Sequence, residues 1–332
     1  MKRELIGIDF GSQNTRIYSD SSKQIIFNEP SCMAIDTYTH KIIETGFLAS
    51  KIQGKAPYNY QIVYPIENGM ISDIELASEY LSRVISKLNI GRGLRGMGVI
   101  FGAPSKCTKV NRNSIVEICK SLQAKEIYIE SQVKLAALGT GEDVYSPNAT
   151  LVCDIGAQIT DIACLSMGEV VNCDSTFIAS VSFDEAIRRY LIQEKHLSVG
   201  KKTAEYVKMR IGTLSPLLDS QLVEVKGRDT ITSLPSSTIV SGSEIRLILT
   251  PLAQFLVLKI TDVISSLPPD LASDLVKNGL ILTGGGSLLS GIKNYFQTKL
   301  NIPVFVTTDP SDCVIRGIGN YCDNINSQKE GK

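Results

Sequence analysis

Leu5–Tyr18 reads LIGIDFGSQNTRIY, and about 145 residues later Leu151–Ala163 reads LVCDIGAQITDIA. Stacked, the two share Asp9/Asp154, Gly11/Gly156, Gln13/Gln158, Thr15/Thr160 and Ile17/Ile162. Self-similarity of this kind implies two halves built on one plan, with a ligand site between them. In each copy an apolar run, Leu5–Ile8 or Leu151–Cys153, reads as a buried strand closed by Asp. The following Gly is expected to supply a turn with φ > 0, after which alternating residues return along a second strand. Amides in such a turn point outward together as an anion nest, and a carboxylate beside them can hold a hydrated Mg²⁺. One such hairpin alone is ordinary; two nests facing each other would clamp a polyphosphate.

A third loop adds weight. Thr283–Ser287, TGGGS, falls between an apolar strand at Leu280–Leu282 and a helix expected over Leu288–Leu300. Three glycines there let the backbone approach a ligand and present helix N-terminal amides to it.

Working outward, 332 residues suffice for two domains, each with its own core. A hydrophobic content of 43% with 20% charged residues describes a soluble globular chain. Balanced charge, 34 basic against 34 acidic residues, excludes a general nucleic-acid binder, and the lack of Trp argues against an aromatic platform for bases. Met1–Glu4 leads straight into strand, so no secretory signal is expected, and no run reaches the roughly 18 apolar residues of a membrane span. The eight cysteines form no CxxC pair and read as thiols in a reducing cytosol, and His40 and His196 are too isolated for a metal site or a triad.

Between the repeats, 19–64 reads as short strands, and Ser72-Asp73-Ile74-Glu75 as a capping box opening a helix with Ile74, Leu81, Val84, Ile85 and Leu88 on one face. Asn89–Gly98 reads as a loop, and helices are expected near Val110–Leu122, Val133–Leu138, Phe183–Gln193 and Thr203–Ile211. Gln221–Val240 alternates as strands would, and Ser243–Ser266 is a helical pattern interrupted by Pro251 and closed by Pro268-Pro269. From Cys322 onward the chain reads as a disordered polar tail.

Taken together, the three loops resemble those of the sugar kinase, heat-shock chaperone and actin ATPase superfamily. Within it, IGIDFGSQNTRIY (6–18), YPIENGMISD (64–73), TAEYVKMRIG (203–212), PPDLASDLVKNGLILTGGGSLLSGI (268–292) and IPVFVTTDPSDCVIRGIG (302–319) are similar to the MreB family of bacterial actins. The resemblance implies an α/β, actin-like two-domain ATPase fold with a duplicated ribonuclease H-like core. Four subdomains would surround a nucleotide cleft: 1–30 with 65–149 and 310–332; 31–64; 150–183 with 245–309; and 184–244. Its implied cofactors are ATP and Mg²⁺. By motif, Gly11, Ser12, Gln13 and Asn14, with Gly156, Ala157 and Gln158, would face the phosphates. Asp9 and Asp154 would hold magnesium through water, and Gly284, Gly285 and Gly286 would contact the α-phosphate and adenosine. Glu205 and Lys208 match the ribose and adenine side, although either alone reads more readily as a solvated helix face.

The chain departs from this pattern around the γ-phosphate. The family's DIGGGTT is here DIGAQIT, so Ala157 and Gln158 replace glycines and Ile159 replaces a threonine. The family's catalytic glutamate falls on Gln132, which can orient water but is no strong general base. Gln132 and Thr160 are the catalytic candidates, Ala179-Ser180-Val181 replaces a further tight turn, and slow hydrolysis is expected. For membrane contact the loop offers Leu94 between Arg92 and Arg95. About 1.5–3 kcal/mol from the leucine and about 1 from each arginine would be marginal in one subunit and multiplied along a filament; a solvated loop is the alternative.

The function implied is a cytoplasmic cytoskeletal filament former. Its partners would be itself, the inner membrane surface and the cell-shape and elongation machinery. The other reading is a non-hydrolysing regulatory paralogue that caps or copolymerises with a standard MreB. A sugar kinase is disfavoured, because no Asp stands as a substrate base.

Overall fold

The computed structural model describes residues 4–55, 57–88, 90 and 93–330. The chain divides into two compact units, Met1–Val144 with Asp312–Lys332, and Tyr145–Ser311.

In the first unit, β1 (Leu5–Phe10) is buried at all six positions and turns back into β2 (Asn14–Ser19), followed by β3 (Gln24–Pro30). A small sheet follows: β4 (Met33–Asp36), β5 (Ile42–Thr45) and β6 (Tyr60–Val63), with a helix α1 (Phe47–Ile52) that the sequence reading did not place. After the hairpin of β7 (Ile66–Glu67) and β8 (Met70–Ile71) come α2 (Ile74–Lys87), β9 (Gly98–Ala103), α3 (Lys109–Ser121), β10 (Glu126–Ser131) and α4 (Gln132–Thr140). The main sheet runs β10-β9-β1-β2-β3, with β10, β9 and β1 parallel. Continuous burial of β1 and β9 follows from helices covering both faces of that parallel part. The cap of α2 is Asp73 rather than Ser72. The Asp73 carboxylate accepts from the Leu76 amide at 2.9 Å, while the Ser72 hydroxyl donates to the Tyr64 and Pro65 carbonyls. Nor is the C-terminus a disordered tail. Cys313–Glu330 forms one helix, because Ile315, Ile318, Cys322 and Ile325 recur at three- and four-residue spacing and are all buried.

The second unit repeats the plan. In chain order it comprises β11 (Thr150–Ile155), β12 (Thr160–Ser166), β13 (Glu169–Thr176), α5 (Ser180–Lys195), β14 (Leu197–Ser198), α6 (Lys201–Ile211), β15 (Leu222–Asp229) and β16 (Pro235–Ser241). Then follow α7 (Gly242–Ser265), α8 (Pro269–Asn278), β17 (Leu280–Thr283), α9 (Ile292–Leu300) and β18 (Val304–Val306). Its main sheet, β13-β12-β11-β17-β18, has the order and strand directions of β3-β2-β1-β9-β10. Pro268-Pro269 does not simply end a helix. Pro269 occupies the first position of α8, where a missing N–H costs nothing. The segment after the triple glycine is a short 3₁₀ turn, and α9 begins only at Ile292.

Helix α7 reaches mean hydropathy 1.8 over an 18-residue window, enough by length and composition to cross a membrane. Its buried residues Ile245, Leu249, Ala253, Leu256, Ile260 and Val263 instead recur as one stripe in the core of the second unit. A capping box starts it. The Ser241 amide donates to Glu244 Oε2 at 2.7 Å, and the Ser241 hydroxyl accepts from the Glu244 amide. Burial alone would raise the Glu244 carboxyl. Lys195, the Ser241 amide and Tyr190 outweigh it and hold the group at about 2, below the ordinary 4.5. A depressed carboxylate stabilises the fold above its unfolded value, and that contribution is lost as pH falls from 4.5 towards 2. Glu244→Gln is therefore expected to cost roughly 1 kcal/mol at pH 7 and to flatten the acid loss of stability in that window. Urea titrations across pH check this, and an unchanged acid slope would count against it.

Candidate phosphate-binding turns

In the first unit the residues singled out collect at the carboxyl ends of the parallel strands, the usual place for a ligand in an open α/β sheet. β1 delivers Asp9 and the turn Gly11–Gln13, and β10 delivers Gln132 at the first position of α4. Gly11 does not adopt positive φ. It is glycine for space: a Cβ would lie 2.9 Å from the Asn14 carbonyl, to which the Gly11 amide donates at 3.1 Å. Gly156 repeats this, with a Cβ 2.8 Å from the Ile159 carbonyl and a closing bond of 3.0 Å, again without positive φ. The first amide of each turn thus closes the turn itself, and the turn is held from outside. The Ser31 hydroxyl donates to the Gly11 carbonyl at 2.6 Å, and the Ser12 hydroxyl accepts from the Gly69 amide at 3.0 Å.

Ala157 and Gln158 also lie outside the positive-φ region, so the second turn closes without the family's extra glycines. Its carbonyls are tied to α5, whose Ser180 and Val181 amides donate to Gly156 and Ala157 at 3.1 and 2.8 Å. The triple-glycine loop is brought against the same turn. A Cβ on Gly284, whose φ is +77°, would lie 2.3 Å from the Ile155 carbonyl and 2.7 Å from Asp154 Oδ1. On Gly286 it would lie 2.3 Å from the Ile155 side chain, whereas on Gly285 it would meet only Ser311 Oγ at 3.3 Å.

The two aspartates differ as magnesium ligands. Asp9 pairs across the hairpin with Arg16, whose Nη1 is 3.4 Å from Asp9 Oδ2 and whose Nε is 3.0 Å from Asp312. Burial pushes the Asp9 carboxyl up while Arg16 pulls it down. A guanidinium thus lies beside the carboxylate that was expected to face a hydrated cation. At Asp154, Oδ1 accepts from Thr283 Oγ1 at 2.9 Å and the cross-strand partner is a second carboxylate, Asp161, a more anionic setting for such a cation. Among the described residues no cluster of three or more His, Cys, Asp or Glu could hold a metal unaided. A magnesium here would bring water and phosphate oxygens as its remaining ligands.

The model of the MreB/Mbl protein family matches residues 3–330. The chain belongs to the MreB/Mbl family. It is 33% identical over 327 residues to the cell shape-determining protein Mbl of Bacillus subtilis, covering 98% of each. To the cell shape-determining protein MreB of Escherichia coli K12 it is 31% identical over 325 residues, covering 96% of this chain and 93% of that one. Crystal structures of MreB5 of Spiroplasma citri bound to AMPPNP and to ADP superpose with TM-scores of 0.96 and 0.94 at 31% identity, covering 100% of this chain and 99% of those. The fold is therefore actin-like.

Against that family several candidate residues are placed differently from expectation. Thr160 is fully buried and its hydroxyl donates to the Ile178 carbonyl at 2.8 Å, which commits its proton to the protein. Glu130 is bound to Lys134 at 3.2 Å, while Gln132 stands 9% exposed at the head of α4. Lys208 donates from α6 to the Ser180 hydroxyl at 2.7 Å, the Ser180 carbonyl at 3.2 Å and Asp184 at 2.9 Å. Those contacts match the three donors of an ammonium and staple α6 to α5; burial lifts Asp184 to about 6 despite Lys208. Glu205 is half-buried on α6. Leu94 is fully buried in the first unit's core and is not offered to a lipid surface; Arg95 is exposed, and Arg92 lies outside the described residues. The pull of apolar burial on Leu94 exceeds what flanking charge can oppose. Arg16 is a residue that the sequence reading left out of the site, and counting across the Asp9 hairpin would have found it. Ser180 was read only as part of a replaced tight turn, and its bonds to Lys208 had no local signal.

Proposed function

We propose that this chain binds ATP with magnesium through the paired turns and assembles with copies of itself into filaments that support cell shape, hydrolysing ATP slowly. One observation carries the reading: two like-built sheets each end in a tight Asp-x-Gly turn, in a fold that a 31% identical relative adopts with AMPPNP bound. Magnesium would be held on the Asp154 side, with Gly156–Gln158 and Ser12–Asn14 cradling the phosphates and Gly284–Gly286 lying along the α-phosphate. By the family's pattern the site is cytoplasmic, and Arg95 is the loop residue left to face an anionic membrane.

Slow turnover follows from Gln132 and Ile159. Gln132→Glu is expected to raise steady-state phosphate release about tenfold or more, since a positioned general base contributes about 10²–10⁴-fold where the rest of the site is competent. Phosphate release with Mg-ATP checks it; an unchanged rate would mean that Gln132 does not face the water. The same residues favour a second reading, a subunit that joins or caps filaments of a standard MreB without hydrolysing. Co-sedimentation with such a protein, but not alone, would select it.

A further inference from the structure

The two turns are copies in backbone but opposites in charge. At the position paired across the hairpin from the conserved-in-repeat aspartate, the first turn carries Arg16 and the second carries Asp161. Asp161 is 1% exposed and accepts a hydrogen bond from Ser175 Oγ, so it is part of its sheet. Arg16 lies on the other kind of face. Along β2, Thr15, Ile17 and Ser19 are buried while Asn14, Arg16 and Tyr18 are half-buried on the opposite side, so Arg16 follows Asn14 on one face of the turn. Its side chain is 13% exposed, against 7% for Asp9 and 35% for Asp312. Contacts to those two carboxylates occupy a minority of the five N–H donors in a guanidinium fork. A planar fork held by two acids beside a phosphate-binding turn is suited to a third anion in bidentate fashion.

We propose that Arg16 is the built-in countercharge of the first turn and binds a nucleoside polyphosphate directly, so that this chain holds ATP with little dependence on divalent cation. The proposal rests on the nucleotide-binding reading above. In it the second turn recruits magnesium through Asp154, while the first carries its cation in the chain, where Asp9 holds Arg16 in place rather than a hydrated metal.

The test is ATP titrated into the full chain by calorimetry, once with Mg²⁺ and once with EDTA, for the native protein, Arg16→Gln and Arg16→Lys. The native ratio of Kd in EDTA to Kd in Mg²⁺ is expected to be under about tenfold. Arg16→Gln is expected to widen it by about tenfold or more, the range of a charge-assisted hydrogen bond, and Arg16→Lys to fall between. Because Arg16→Gln leaves Asp9 buried without its partner, the double variant Asp9→Asn/Arg16→Gln, which removes both charges, is titrated beside it and is expected to show the same widened ratio. An equal ratio in native and variant proteins overturns the proposal. So does loss of native ATP binding in EDTA when binding in Mg²⁺ is intact, a result that leaves the nucleotide reading standing. No binding with Mg²⁺ either would refute both.

Discussion

Gly317→Ala is expected to lower the stability of the first unit by about 3–5 kcal/mol, much of what holds a typical domain folded. The C-terminal helix crosses α4 with backbones in contact. A Cβ on Gly317 would stand 1.7 Å from the Leu135 carbonyl oxygen, and one on Gly139 would stand 1.8 Å from the Cys313 carbonyl oxygen. Both obstacles are main chain, so no change of rotamer relieves them; the helices must separate, and β1, on which the C-terminal helix also lies, loses its cover. The space opened is paid for as a cavity along the whole crossing. Gly200→Ala is the control, because a Cβ there meets nothing within 4 Å; it is expected to cost under about 1 kcal/mol. Urea unfolding of the three proteins decides. A Gly317→Ala midpoint within error of native would show that the crossing is looser than described.

Gly284→Ala is expected to weaken ATP binding by about 100-fold or more while Gly285→Ala leaves it within about threefold. At Gly284 two costs add. Its φ of +77° is strained for any L residue, by roughly 1–2 kcal/mol, and its Cβ would collide with the Ile155 carbonyl and the Asp154 carboxylate. The loop would have to retreat from the very residue that suits magnesium, pulling Thr283 off Asp154 Oδ1, where it now donates at 2.9 Å. Gly285 has negative φ and only a serine hydroxyl within reach, which can rotate away. Calorimetric titration of both variants, after their melting is recorded, separates lost binding from lost folding. Equal affinities would mean that the triple-glycine loop does not touch the nucleotide.

The duplicated plan was legible because both copies of the turn keep Asp, Gly, Gln and Thr in register, and a repeat needs no energy calculation to see. What the glycines do was not. A sequence does not distinguish a glycine needed for φ > 0 from one needed because a carbonyl lies where a Cβ would be, and Gly11 and Gly156 are of the second kind. Arg16 and Lys208 show the same limit for charge. Lys208 looked like a nucleotide ligand or a surface residue and Arg16 drew no reading, until helix packing supplied Ser180 and Asp184 to the first and strand register supplied Asp9 and Asp312 to the second. Leu94 and the segment from Cys322 were misjudged in the opposite direction. Polar neighbours suggested exposure, and tertiary burial of a few apolar side chains overrode them. The departures Gln132 and Ile159 are read from residue type alone.

The most direct test of the account is sedimentation of the purified chain with Mg-ATP, with Mg-ADP and without nucleotide. ATP binding coupled to self-assembly predicts a pelleted fraction with Mg-ATP well above that without nucleotide. Equal pelleting in all three conditions, or none in any, would contradict it.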